Sequence, residues 1–374
     1  MLRLEQLSVR DVRNLARVDV EPAERVNVIA GHNGHGKTSI LEAIYFAATS
    51  KSFRTSAPEE LVRHGASACM VRARFAEHAL GIEPIAREQV ATVTGRRCAV
   101  RLDGNRPASL AAFATRSPVV AFHPDELALS SGPAQGRRTL LDRIALFVDP
   151  ASADHRGRYV RALRARQQLL RRSSERPADE PARPDVAAFE ELCAVHGAAL
   201  TRARERAAAA LAGELVSAFT EIAAPGLGLV ARYRPGGSAR PDEARERLVE
   251  ERRRDAFRAT AGFGPHRDDL VLLLDGHPAR VVASQGQHRA LTLALKAAEA
   301  ACVARVRGVE PILLLDDVSS ELDPERTSAL FEFLSERRGQ IFLTTTRPEL
   351  IVTRGIEPPE RADFHVQNGL LARA

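Results

Sequence analysis

Gly31-His32-Asn33-Gly34-His35-Gly36-Lys37-Thr38 fits the pattern Gly-x-x-x-x-Gly-Lys-Ser/Thr. The pattern has a mechanism. Its glycines let successive backbone N–H groups turn inward on an anion, and the helix that follows adds partial positive charge. Lys37 neutralises the outer phosphates of a nucleotide, and the Thr38 hydroxyl ligates Mg²⁺. The candidate phosphate-binding set is Gly31, His32, Asn33, Gly34, His35, Gly36, Lys37, Thr38 and Ser39, with ATP and Mg²⁺ as expected ligands.

The flanks supply the context this loop needs. Val26-Asn27-Val28-Ile29-Ala30 predicts a short strand, and residues 37–49 predict a helix with Ile40, Leu41, Ile44 and Tyr45 on one face. Upstream, Leu2, Leu4, Leu7 and Val9 predict one strand, and Val18 with Val20 another. Residues 69–103 alternate in short β-like runs, and residues 117–122 predict a buried strand. From 135 to 225 the pattern is helical, with an arginine-rich helix over 153–172 and a long one over 186–223. Between these two, Pro177, Pro181 and Pro184 predict a surface loop over 173–185. Strands are expected at 227–233, 270–274, 312–315 and 341–343, and helices at 241–259, 286–305 and 324–336. The fold class is therefore α/β, a body built from both ends of the chain with a mostly helical insert.

Two distal segments complete a nucleotide site. Pro311-Ile312-Leu313-Leu314-Leu315-Asp316-Asp317 is an apolar strand ending in two carboxylates. Acids at the end of a strand buried on both faces place Asp316 at the metal and leave Asp317 to polarise an attacking water. Ser284-Gln285-Gly286-Gln287 opens an alanine- and leucine-rich helix, either as a second anion site or as an ordinary serine cap.

With 374 residues, 44% of them apolar, the chain has ample material for a core in two or three domains. No stretch approaches the roughly 18 uninterrupted apolar residues of a membrane span, and the first residues lack a signal-peptide core. A cytoplasmic protein with no membrane partner is expected. Cys69, Cys98, Cys193 and Cys302 lie far apart, against a zinc site or disulfide framework. The net charge of +6 permits nucleic-acid contact without establishing it.

The phosphate loop, the Ser-x-Gly-Gln segment, the Asp316-Asp317 strand and Ser320-Glu321-Leu322-Asp323, in this order, resemble the ABC-type ATPase head. That resemblance implies two heads joined by ATP. Ser284, Gly286 and Gln287 would then act on the γ-phosphate held by a second copy, and Asp323 would lie in a loop crossing the dimer interface. Further segments narrow it. They are Lys51-Ser-Phe-Arg-Thr55, Phe122-His-Pro-Asp-Glu-Leu127, Arg137-Arg-Thr-Leu-Leu-Asp-Arg143 and Gly264-Pro-His-Arg-Asp-Asp-Leu270. Together, over nearly the whole chain, they resemble the RecF family of bacterial recombination-repair ATPases. The resemblance implies an ATP-dependent homodimer on gapped DNA, at single-strand/double-strand junctions, that works with RecR and RecO in loading RecA and supports replication and the SOS response. The domains it implies are 1–125, the first part of the head; 126–260, a helical insert; and 261–374, the second part of the head.

Three departures from transporter-type heads stand out. Asp317 replaces the usual glutamate, which predicts slow hydrolysis. Thr344-Thr345-Thr346 stands where such heads carry a switch histidine. His123 or Asp125 stands in for a sensing glutamine.

Outside the nucleotide segments, Arg156, Arg158, Arg161, Arg164, Arg166, Arg171 and Arg172 crowd one helix, as phosphate-backbone contacts or as a solvated face. Lys51, Arg54, Arg72, Arg74, Arg96, Arg97 and Arg101 are rival DNA contacts. His266-Arg267-Asp268-Asp269 reads as a structural turn or a family motif near the nucleotide, with a metal site as the alternative. A transporter ATPase subunit is the competing function. The span from Lys37 to Asp316 is too short for the long coiled coils of SMC proteins, and no separate nuclease cluster is present.

Overall fold

The computed structural model describes residues 1–79, 82–174, 184–222, 226–317, 339–351, 356 and 360–374. Asp323, the rest of the 320–323 segment and the helix expected over 324–336 lie outside the described residues. So do the side chains of Asp125 and Arg172 and most of the 173–185 loop. The chain divides into two compact units, Met1–Leu127 with Ser217–Pro225 and Arg289–Ala374, and Ala128–Val216 with Gly226–His288.

The first unit opens with strands β1 (Leu2–Val12), β2 (Leu15–Val20) and β3 (Val26–Ala30), followed by the helix Lys37–Thr49. Strands β4 (Ala68–Ala79), β5 (Ile82–Thr94), β6 (Arg97–Leu102) and β7 (Val119–Phe122) come next. In the second unit, strands β8 (Leu229–Arg234), β9 (Asp269–Leu274) and β10 (His277–Pro278) form a small antiparallel sheet. The chain then returns to the first unit with β11 (Ile312–Leu315), β12 (Ile341–Thr345), β13 (Arg361–Gln367) and β14 (Leu370–Arg373).

Two sheets build the first unit. One is antiparallel in the order β2-β1-β4-β5-β6. The other runs β14-β13-β3-β12-β11-β7, parallel from β13 to β7 with β14 as an antiparallel edge. Strands β7, β11 and β12 are buried at every position, as expected for parallel strands covered on both faces. β1 alternates and turns Leu2, Leu4, Leu7 and Val9 inward. These residues share one core with Ile40, Leu41, Ile44 and Phe46 of the first helix and with Ile312, Leu314 and Phe342 of the parallel sheet. Gln340 ties the layers polar-side: its amide N–H groups donate to Leu4 O and Ala23 O, and its carbonyl accepts from Leu4 N at 2.7 Å.

The second unit holds the helices Ser152–Ser174, Pro241–Glu250 and Arg252–Arg258 and most of the long helix Pro184–Ile222. Its core includes Tyr159, Leu163, Cys193, Leu200 and Leu248. The helix expected over 241–259 is two helices, and at the break the Arg166 guanidinium donates to Leu248 O.

The compact units set the boundary differently from residues 260/261. Residues 261–288 cluster with the second unit because β9 pairs with β8 and because Asp268 and Asp269 are held by second-unit arginines. Residues 217–225 fall in the first unit. The terminal hairpin β13–β14 was not anticipated. Its signal is the alternation of Ala362, Phe364 and Val366, followed by Asn368-Gly369, both at positive φ (50° and 79°), which is the backbone of a type I′ turn.

Candidate nucleotide site

The loop 31–36 leaves the end of β3 and enters the helix at Lys37. At Gly31 an added Cβ would meet Val366 O at 2.4 Å, so only glycine lets the loop pass the neighbouring strand β13. Gly36, at φ 115°, is in a conformation that a side chain strains, and it also lies against Asn14. The loop is braced from two further directions. Gly369 N–H donates to His35 O at 2.9 Å. Asn14 donates to Gly34 O and accepts from the Ser39 hydroxyl at 2.9 Å.

Lys37 is buried and donates to Gly31 O at 2.7 Å, His32 O at 3.2 Å and Asn33 Oδ1 at 3.3 Å. Burial pushes its ammonium below the ordinary lysine value, with Asp317 and Asp316 opposing that shift. The Thr38 hydroxyl lies 2.9 Å from both carboxylate oxygens of Asp316. Thr344 donates to Asp316 Oδ1 at 2.8 Å, and its oxygen accepts the Asp317 backbone N–H at 2.9 Å. Burial raises the Asp316 carboxyl above its ordinary value, while the bonds from Thr344 and Thr38 pull the other way. Asp316 N–H donates to Phe122 O, which fixes the acid to the end of β7. Hard oxygen donors converging at the end of a parallel sheet suit a small divalent cation.

Lys37, Thr38, Asp316 and Asp317 line a cleft of about 500 Å³ together with Arg13, Arg54 and Glu60. Lys37, Thr38, Asp316 and Asp317, distant in sequence, are thus brought together. Ser284, Gly286 and Gln287 belong to the other unit and are not among the lining residues. There Ser284 caps the helix Gln285–Arg307 in a reciprocal box: its hydroxyl accepts from Gln287 N, and its own N–H donates to Gln287 Oε1 at 2.8 Å. His123 stacks on Phe53, with ring centroids 5.1 Å apart.

Sequence reasoning missed Arg13, Asn14 and Glu42. They sit in a hairpin turn and a helix interior, where no local pattern marks them. Arg54, considered there as a DNA contact, lines the cleft. Arg166, also considered for DNA, is fully buried and pairs with Glu190 and Asp255. Arg156 pairs with Asp142. In the second unit the 264–270 segment is structural: Arg204 bridges Asp142 and Asp268, Tyr233 donates to Asp268 at 2.6 Å, and Arg137 holds Asp269. Among the described residues no group of three or more His, Cys, Asp and Glu is placed to hold a metal ion.

The chain matches the model of the RecF/RecN/SMC N-terminal domain over residues 3–355. It is 41% identical, over 99% of both chains, to the DNA replication and repair protein RecF of Anaeromyxobacter sp. strain Fw109-5. The chain belongs to the RecF family. The RecF of Myxococcus xanthus strain DK1622 is 37% identical over 99% of this chain and 97% of its own. Among solved structures, the recombination mediator protein RecF-ATPrS in the RecFOR pathway superposes with a TM-score of 0.86 at 26% identity, covering 100% of this chain and 98% of that one. An Smc head domain from Pyrococcus furiosus, at 16% identity and a TM-score of 0.56, shares the fold. The α/β ATPase-head architecture read from the sequence is thereby established, and the transporter-subunit alternative is overturned by RecF relatives that match from end to end. Among the described residues no helix is long and apolar enough to cross a membrane.

Proposed function

We propose that this RecF-family chain is an ATP-switched DNA-repair protein whose two copies close on DNA when each holds ATP. The observation that carries the reading is the Thr38–Asp316–Thr344 cluster beside Lys37, at the end of the parallel sheet. Gly31, His32, Asn33, Gly34, His35, Gly36, Lys37, Thr38 and Ser39 would wrap the phosphates of ATP. Thr38 and Asp316 would hold Mg²⁺, which when bound offsets phosphate charge. Asp317 would orient and deprotonate water. Its short side chain favours slow turnover, so hydrolysis resets binding rather than transforming a substrate. Ser284, Gly286 and Gln287 would meet the phosphates of the second copy.

Further parts of the proposal rest on family membership and on the relatives' names, which speak of replication, repair and the RecFOR pathway. They are binding of gapped DNA, work with RecO and RecR in loading RecA, and support of replication and the SOS response. With a basic chain and few aromatics, contact with the duplex backbone is the expected mode.

The test is sedimentation of the protein with gapped, single-stranded and duplex DNA, with and without ATP. Wild type is expected to dimerise and bind DNA more tightly with ATP, and Lys37→Met to do neither. A Lys37→Met protein that dimerises normally with ATP would overturn the mechanism. Absence of any DNA effect on binding or hydrolysis would remove the repair role and leave a nucleotide-binding head.

A further inference from the structure

Glu42 is an acid where a polyanion site would least be expected to carry one. It lies one helical turn beyond Thr38, on the helix that the phosphate loop feeds, and its side chain is 0% exposed. Its carboxylate takes both arms of the Arg13 guanidinium, at 2.9 and 2.8 Å. The Ser52 hydroxyl donates to the same carboxylate, and Arg54 reaches it at 3.3 Å. Ser52 in turn organises its own loop, accepting the backbone N–H groups of Arg54 at 2.9 Å and Thr55 at 3.0 Å. Arg13 and Arg54 come from separate segments, the β1–β2 turn and the loop after the first helix, and both line the cleft with Lys37.

One carboxylate therefore faces two guanidinium groups, and one of the two positive charges remains over. Arg13 is committed in a fork, whereas Arg54 is held by a single longer bond and is 41% exposed. We infer that Glu42 is a positioning residue, which holds Arg13 and, through Ser52, Arg54 at the mouth of the cleft so that both meet the phosphate chain of a nucleotide. The inference rests on the reading that the cleft takes a nucleotide.

The opposing effects differ in sign. Removing a negative charge beside a polyanion strengthens binding by simple electrostatics. Removing a group that aims two arginines weakens it. Calorimetric titration of the full chain with ATP and Mg²⁺ separates the two. Glu42→Gln is expected to bind ATP on the order of tenfold more weakly despite the gained charge. Ser52→Ala, which leaves the buried ion pair intact, is expected to lose a few-fold. In a chain already carrying Arg13→Gln and Arg54→Gln, Glu42→Gln is expected to change ATP affinity no further, a non-additivity that general loosening of the fold would not produce. Glu42→Asp is expected to recover part of the loss.

Tighter or unchanged ATP binding in Glu42→Gln overturns the inference, as does a full additional loss in the arginine-depleted chain. If Glu42→Gln does not fold, Ser52→Ala decides, and wild-type affinity there refutes it. Wild type with Lys37→Ala as control tests the underlying reading separately, since failure of wild type to bind ATP refutes the site itself.

Discussion

At the residue scale, the two carboxylates at the end of β11 differ in backbone as well as in contacts. Asp317 sits at φ 48°, in the left-handed region that Asp and Asn tolerate better than longer side chains. The aspartate in place of the usual glutamate is thus consistent with the turn that presents it. Asp317→Asn is expected to keep the melting temperature and ATP binding and to lower phosphate release by about 100-fold or more. Unchanged turnover in this variant would remove Asp317 from the reaction. Thr344 links the pair, donating to Asp316 and accepting from Asp317 N. Thr344→Val leaves that N–H without its oxygen, at a cost of about 1–3 kcal/mol in urea unfolding. A cost near zero would mean that the link is dispensable. The tripeptide was readable only as a missing histidine. Its hydroxyl as a bridge between two acids depends on β12 lying beside β11, which the local sequence does not encode.

At the element scale, the arginine-rich helix Ser152–Ser174 separates into two kinds of arginine. Arg166 is buried between Glu190 and Asp255, whereas Arg158, Arg161 and Arg164 face solvent. Arg166→Met is expected to cost about 3–5 kcal/mol, because it leaves the buried Asp255 without its cation and Glu190 with Arg252 alone. The double change Arg161→Gln, Arg164→Gln is expected to leave stability within about 0.5 kcal/mol and to weaken DNA binding with a shallower salt dependence. Melting curves and DNA titrations at two salt concentrations check both. If the double variant keeps full DNA affinity, this helix is no DNA contact.

Counting arginines could not make that separation, because the pattern records charge and not which helix packs opposite. Strands with continuous apolar runs, such as Ile312–Leu315, were legible to the residue, as was the helix Lys37–Thr49. Hairpin β13–β14 was missed although Asn368-Gly369 announces it. The cleft was half legible: local motifs mark Lys37, Thr38, Asp316 and Asp317, whereas Arg13, Asn14 and Glu42 reach it through tertiary pairing.

At the scale of the whole molecule, the second compact unit carries buried groups that titrate on either side of neutrality. In the second unit Tyr159 O–H donates to His266 Nδ1 at 2.7 Å, and the other ring nitrogen meets Ala261 O. Burial holds the His266 imidazole below the ordinary 6.5. A histidine depressed by folding contributes stability that is present above about pH 6.5 and lost as pH falls through its folded value. On the alkaline side, burial pushes the Cys193 thiol up from 9.0 to about 12. A raised thiol contributes stability that is complete below pH 9.0 and fades as pH approaches about 12. Amide exchange at pH 5, 7.5 and 10 is therefore expected to show protection in the second unit highest at the middle value. Equal protection at pH 5 and 7.5 would rule out His266 as the acid-side group.

The placement of β3 bears on how the chain comes to fold. Its neighbours in the sheet are β12 and β13, so both partners of residues 26–30 are made more than 300 residues later. The loop that leaves β3 takes its brace from Gly369. During synthesis the strand therefore emerges early and waits, unpaired on both sides, until residues 341–367 have been made. Long-range parallel pairing of this kind is slow and exposes aggregation-prone edges. Nucleotide capture must therefore follow the synthesis of β13, and a ribosome stalled anywhere before it releases a chain with the phosphate-loop sequence but no shaped phosphate loop.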